Sequence, residues 1–260
     1  MHCVKIWASP NNPESMAMRI PRLYVDQILA IGVPVELDPH SARYLRSVLR
    51  LSDGDQVVVF DGRGGEYRAL LESSGKTSAR IIAKEFDPVE RESPLHIQLA
   101  IGISRGERMD LVVQKATELG VAEITPLFTQ RCEVKLNQAR AIKKNQHWRQ
   151  IAINACQQCQ RNRLPDVRPA ATIGEWLWSS QQGLKLLLDH HGERGIARRA
   201  PIDNRVVLLV GPEGGFEASE VAAAERAGFI PLGLGPRVLR TETAPIAALG
   251  ILQALWGDLQ

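Results

Sequence analysis

Apolar positions change their period partway along the chain, and that change divides it in two. Between Arg19 and Asp87 they alternate in short runs, most clearly in Gln56-Val57-Val58-Val59-Phe60, the turn Asp61-Gly62-Arg63-Gly64-Gly65, and Glu66-Tyr67-Arg68-Ala69-Leu70-Leu71. A period of two around glycines that tolerate positive φ predicts a β-hairpin. One helix and a further strand over 78–85 complete this part. Short strands with Gly-rich turns commonly close on themselves, so a small barrel or curved sheet of about seventy residues is expected over 18–88.

The stretch Asp87-Pro88-Val89-Glu90-Arg91-Glu92-Ser93-Pro94 carries four charges and two prolines and reads as a linker. Strands then alternate with helices. A strand over 97–103 precedes a helix over 106–119, where Met109, Val112, Val113 and Ala116 fall at i, i+3, i+4 and i+7 and Gly120 suits a C-cap. Strands are expected over 122–128, 184–188, 206–210 and 230–234. Helices are expected over 138–160, 173–180, 218–227 (ending at Gly228) and 243–256. Such alternation implies a parallel sheet covered on both faces, so the fold class is α/β, with the second domain over 95–260.

Residues 1–17 show neither period and read as a disordered tail or an upstream start. The 260 residues, 44% of them hydrophobic, can fill an ordinary core. No run approaches the roughly 18 apolar residues of a membrane span, and no basic flank precedes an apolar block at the start, so a cytoplasmic protein with no membrane partner is expected. A net charge of +3 is too mild to establish a nucleic-acid partner by itself. Four cysteines suggest reduced thiols. Cys156 and Cys159 form a C-x-x-C without a second pair, on a segment that reads as helix, so thiols on a helix are favoured over redox or metal use and no metal is expected.

Two loops carry the candidate chemistry. Leu208-Leu209-Val210-Gly211-Pro212-Glu213-Gly214-Gly215-Phe216 and Leu234-Gly235-Pro236-Arg237-Val238-Leu239-Arg240-Thr241-Glu242-Thr243-Ala244 each end a strand in a Gly/Pro turn and lead into a helix. Glycines let backbone approach a ligand at the carboxyl end of a buried strand, where open α/β sheets place their ligands. Neither the G-K-[ST] ending of a phosphate loop nor G-x-G-x-x-G occurs. Thr241 or Thr243 is the expected cap of the last helix, with Pro245 in its first turn.

Together these loops closely resemble the SPOUT class of S-adenosylmethionine-dependent RNA methyltransferases, specifically the RsmE type. The resemblance runs through Arg19-Ile20-Pro21-Arg22, Val48-Leu49-Arg50, Phe60-Asp61-Gly62, Arg91-Glu92-Ser93-Pro94, Ser104-Arg105-Gly106-Glu107, Glu118-Leu119-Gly120-Val121, Ile124-Thr125-Pro126-Leu127 and Arg161-Asn162-Arg163. It implies an amino-terminal PUA-like β-barrel, a carboxyl-terminal α/β domain with a deep trefoil knot, a homodimer, and methylation of N3 of a uridine in small-subunit (16S) ribosomal RNA. Where many relatives have Gly before Arg-Asn-Arg this chain has Gln160, so the long helix is expected to run on or to end without a left-handed glycine cap.

The resemblance places the S-adenosylmethionine pocket at Leu187, Leu188, Gly211, Pro212, Glu213, Gly214, Gly215, Leu232, Leu234, Gly235, Leu239, Arg240 and Thr241. The N3 proton must leave and the resulting anion spreads onto O2 and O4, so a cation or dipoles should face those oxygens. Arg240 is the candidate, with Glu242 accepting the proton or orienting Arg240; an ion pair that merely fixes the loop is the equal alternative. For RNA, a helical segment over 40–50 would align Arg43, Arg46 and Arg50, with Leu45, Val48 and Leu49 facing the barrel. Arg19, Arg22, Arg105, Arg108, Arg161 and Arg163 would extend that surface. The competing function is a non-catalytic RNA-binding or ribosome-assembly factor with a relic donor pocket.

Overall fold

A computed structural model of the chain describes residues 20–75, 78–134, 137–179, 182–193 and 200–259. The expected tail over 1–17 and Arg19 lie outside the described residues. Strands β1 (Arg22–Tyr24), β2 (Pro34–Glu36), β3 (Gln56–Phe60), β4 (Glu66–Ser73) and β5 (Ala79–Asp87) form one sheet in the order β1-β3-β4-β5-β2. The expected hairpin is β3 and β4, antiparallel, with Val57 opposite Ala69. All five strands send apolar side chains into one interior, among them Leu23, Val35, Val59, Leu71 and Ile81.

The basic segment over 40–50 is helical only in part. Helix α1 (Pro39–Arg43) is capped by Asp38, whose carboxylate accepts from the His40 and Ser41 amides. It continues as one wide π turn, Tyr44–Val48, closed by the Leu49 N–H donating to the Tyr44 carbonyl at 3.0 Å. A turn closed over five residues shifts every later side chain around the axis. Leu45 stays buried, but Val48 is 64% exposed instead of facing the sheet. Arg50 falls beyond the helix with φ +57°, so Arg43, Arg46 and Arg50 do not form the expected single stripe.

The second sheet contains β6 (His96–Gly102), β7 (Glu123–Phe128), β8 (Asp166–Val167), β9 (Ala171–Thr172), β10 (Leu184–Glu193), β11 (Arg205–Val210) and β12 (Ile230–Leu232). Its order is β12-β10-β11-β6-β7-β8, with β9 also on β7 and every pair parallel. Helices α2 (Glu107–Glu118), α3 (Gln138–Cys159), α4 (Ile173–Trp178), α5 (Ala218–Arg226) and α6 (Thr243–Trp256) cover it. Alternation along β11 shows why both faces are needed. Val206, Leu208 and Val210 pack with Met109 and Val112 of α2 and Leu249 and Leu252 of α6, whereas Val207 and Leu209 pack with Trp176 of α4 and Ala224 of α5. Among the described residues no helix is long and apolar enough to cross a membrane.

Two helix ends show local chemistry at work. Gly120 follows α2 at φ +78°, as its lack of a Cβ allows. After α3, Gln160 itself takes the left-handed conformation, φ +68° and ψ +21°. That geometry costs a residue with a Cβ about 1–2 kcal/mol. The helix therefore stops where a glycine would have stopped it, and the Gln160 carbonyl accepts from Arg91 at 3.2 Å.

The linker-like stretch is fastened rather than loose. Glu90 pairs with Arg163 at 2.8 Å, Glu92 with Arg161 at 2.5 Å, and the Val89 carbonyl accepts from Asn162 at 2.6 Å. Arg22 reaches the same loop, pairing with Glu66 at 2.5 Å and donating to the Arg161 carbonyl at 3.0 Å and to Asn162. Burial alone would raise the Glu66 carboxyl, but Arg22 and Arg91 outweigh it and hold it below the ordinary carboxylate range. One polar seam thus joins the two sheets.

Candidate functional site

Because β12, β10 and β11 are neighbours and parallel, their carboxyl ends open at one edge of the sheet. The loops that follow enclose a cavity of about 860 Å³, within the range of small-molecule sites. All thirteen pocket positions named from the sequence line it: Leu187 and Leu188 from β10, Gly211 to Gly215 after β11, and Leu232, Leu234, Gly235, Leu239, Arg240 and Thr241 from β12 and the loop into α6. Sequence reasoning missed Arg131, Asp189 and His190, which also line it.

The loops are tied to one another by side chains. Thr241 donates its hydroxyl to the Gly211 carbonyl at 3.2 Å and lies 3.2 Å from the hydroxyl of buried Ser104, which follows β6. Thr241 therefore joins the two glycine loops and caps nothing. The first amides of α6 are held instead by the Arg240 carbonyl, which accepts from Thr243 and Ala244 at 2.9 Å each. On the other wall Arg131 pairs with Glu217 at 2.8 Å and donates to the Gly214 carbonyl at 3.1 Å.

Charge is unevenly matched in the cavity. Glu213 accepts from the Arg105 amide at 2.9 Å and from the Arg108 guanidinium at 3.0 Å. Burial would raise its carboxyl, but those donors outweigh burial and keep it below the usual range. Glu242 is different. Its Oε2 is buried without a hydrogen-bond partner, 4.0 Å from Arg108 Nε, while Oε1 lies 3.9 Å from Arg240. A buried carboxylate oxygen left unpaired costs free energy unless a ligand supplies a donor or a cation. The Arg240 side chain is 81% exposed, so it is free to reach a second ligand over the cavity.

The arginines assigned to RNA divide sharply. Arg43 and Arg50 are exposed. Arg46 is bound to Asp53 and Ser73, Arg105 lies 3.8 Å from Glu133, and Arg163 holds Glu90. Arg108 belongs to the cavity wall through Glu213. Arg22 and Arg161 do not extend an RNA surface as expected: their side chains are 9% and 5% exposed, and both are spent on the seam between the sheets. Burial pushes the Cys156 thiol up to about 12 and raises Cys159, so both cysteines of the C-x-x-C are held in the protonated, weakly nucleophilic form.

Known proteins share this architecture over nearly the whole chain. Residues 91–253 match a family described as an RNA methyltransferase domain, and residues 37–84 match an RNA methyltransferase PUA domain. The ribosomal RNA small subunit methyltransferase E of Buchnera aphidicola (subsp. Schizaphis graminum) is 37% identical over 94% of this chain and 100% of its own. The crystal structure of the Neisseria gonorrhoeae ribosomal RNA small subunit methyltransferase E, bound to S-adenosyl methionine, superposes with a TM-score of 0.87 at 38% identity, covering 93% of this chain and 100% of that one. A Legionella pneumophila methyltransferase in complex with the cofactor SAM gives 0.86 at 41% identity, with the same coverage. On these matches the chain belongs to the ribosomal RNA small subunit methyltransferase E family.

Proposed function

We propose that this protein transfers a methyl group from S-adenosylmethionine to N3 of a uridine in 16S ribosomal RNA, as a cytoplasmic homodimer. The observation that carries this reading is the convergence of three strand-end loops, in a member of this family, on a cavity where the buried Oε2 of Glu242 has no hydrogen-bond partner. Residues 18–88 serve as the PUA-like RNA-holding barrel and 95–260 as a SPOUT domain with a trefoil knot. Support for the knot is that Leu232 pairs with both Leu188 and Glu193, and that a Cβ on Gly233 would lie 2.6 Å from the Gly192 carbonyl. So close an approach is compatible with a threaded strand end. Support for the dimer is α6, whose far side exposes Ile251 and Leu255 although its near side is already buried.

The residues present fit the donor. Glycines at 211, 214, 215 and 235 let the backbone come close to an adenine edge, and Leu234 and Leu239 flank its ring. Positive charge on the donor matches Glu242, whose Oε2 has no hydrogen-bond partner. Bound S-adenosylmethionine supplies an electrophilic methyl group. Arg240 stabilises the negative charge that spreads onto the uracil oxygens, and Glu242 Oε2 takes the N3 proton.

The test is to titrate the purified protein with S-adenosylmethionine, then supply the donor with small subunits from a strain lacking the enzyme. Donor binding and a single N3-methyluridine, located by mass mapping of the RNA, are expected. A relic pocket would bind poorly and transfer nothing; methylation at another atom would overturn the reading.

Gly102, which carries no sequence signal of its own, packs against Pro212 of the cavity wall. A Cβ there would lie 2.5 Å from Pro212 Cδ and 2.6 Å from Pro212 N, and backbone cannot yield as a flexible side chain can. Gly102→Ala is expected to push the loop after β11 into the cavity and to weaken donor affinity at least about tenfold, roughly 1.4 kcal/mol, by calorimetry. Unchanged affinity would show that this loop does not contact the donor.

A further inference from the structure

The first turns of α3 carry cations that neither the pocket nor the seam uses. Arg140, Lys143 and Lys144 stand at i, i+3 and i+4, and the next residue of that row, at i+7, is His147. His147 and its neighbour Trp148 touch α2, hydrogen-bonding Asp110 at 2.8 and 3.1 Å. The row therefore lies on the side of α3 that faces α2.

The two helices run the same way, since each connects parallel strands, but they do not start level. Asp110 is three residues into α2, whereas His147 is nine residues into α3. At 1.5 Å per residue, α3 extends about 9 Å beyond the start of α2. Over that length α2 is absent, so Arg140 and Lys143 face the space above its first turn, and Lys144 stands level with Glu107 at its start. That turn carries Arg108, in the wall of the cavity. The other approach agrees: Arg131 lines the cavity, and Asn137, which caps α3, follows six residues later, no more than about 20 Å of extended chain.

Among the described residues these three side chains have no carboxylate partner, unlike Arg22, Arg46, Arg161 and Arg163. An arginine already bound to a carboxylate must surrender that bond to hold a phosphate. Unpaired cations need not, and the helix amino terminus adds positive potential of its own.

We propose that the overhanging head of α3 is a phosphate clamp that holds the RNA strand flanking the target uridine over the donor cavity. It rests on the reading of this protein as a ribosomal RNA methyltransferase. The surface is not the α1 arginines, and it explains how RNA can be held beside the reacting atoms as well as at the amino-terminal sheet.

The experiment compares wild type with the triple variant Arg140→Gln, Lys143→Gln, Lys144→Gln, measuring methyl transfer to small subunits over a range of salt and donor affinity by calorimetry. Removing three phosphate-binding cations is expected to raise the KM for RNA about tenfold or more near 0.15 M salt and to make the log–log salt slope shallower by about 2. Donor affinity and kcat at saturating RNA should stay within twofold. The exposed pair Arg205→Gln, Arg226→Gln, at the amino end of β11 and the last turn of α5 and so away from the cavity, should leave KM and slope unchanged. A wild-type KM and slope in the triple variant would overturn the clamp, as would an equal effect in the control pair, which would mark a general charge effect. Absence of methyl transfer by wild-type protein would instead sink the methyltransferase reading itself.

Discussion

Arg240→Ala is expected to lower single-turnover methyl transfer by about 10²–10³-fold, the usual cost of removing one donor to a developing anion, while donor affinity stays within a few-fold. The alternative is that Arg240 only fixes the loop by pairing with Glu242. Two observations weigh against that. The pair is 3.9 Å apart with the Arg240 side chain 81% exposed, a geometry worth little in water. The loop is already held by the Arg240 backbone carbonyl on α6 and by Thr241 on Gly211, bonds that an alanine would keep. Arg240→Lys separates the roles further: it preserves charge but not the fork, so partial activity with normal donor binding is expected. Equal losses of donor affinity and rate in Arg240→Ala would return the residue to a loop-fixing role.

The glycine loops that line the cavity were legible in the sequence because their information is local. A buried strand, a glycine turn and a helix start are adjacent along the chain, so Gly211 to Gly215 and Leu234 to Thr241 could be placed without knowing what packs on them. The α2 row of Met109, Val112, Val113 and Ala116 was legible for the same reason, and all four are buried. Arginines were not. Arg22 and Arg161 look like Arg43 in a sequence, and only the fold reveals that two of them meet Glu66 and Glu92, distant along the chain. The π turn at Tyr44–Val48 defeated the Arg43, Arg46, Arg50 row because one inserted residue per turn leaves no compositional trace. Gln160 hid in the opposite way, adopting a backbone conformation that its identity disfavours. The head of α3 needed the relative start points of two helices, which depend on tertiary packing.

Arg161→Ala is expected to cost about 3–5 kcal/mol of folding stability, because it removes one partner of a buried ion pair and leaves the other. The Arg161 guanidinium donates to Glu92 at 2.5 and 3.1 Å and to the Thr117 and Val121 carbonyls at 2.8 and 3.0 Å. Burial would lower its pKa, but Glu92 outweighs burial and raises it, so the charge is retained. Urea denaturation should show a midpoint shift with little change in slope. Arg161→Lys should fall between, since a single ammonium cannot serve the carboxylate and both carbonyls. The double variant Arg161→Met, Glu92→Met discriminates most strongly. If the loss comes from a stranded charge, removing both charges should recover more than half of it, although the Val121 carbonyl loses its donor and the Thr117 carbonyl keeps only the Gly120 amide. A double variant no more stable than Arg161→Ala would place the stabilisation in the carbonyls at the end of α2. The seam would then hold the amino-terminal sheet chiefly through Arg22, Asn162 and Arg163.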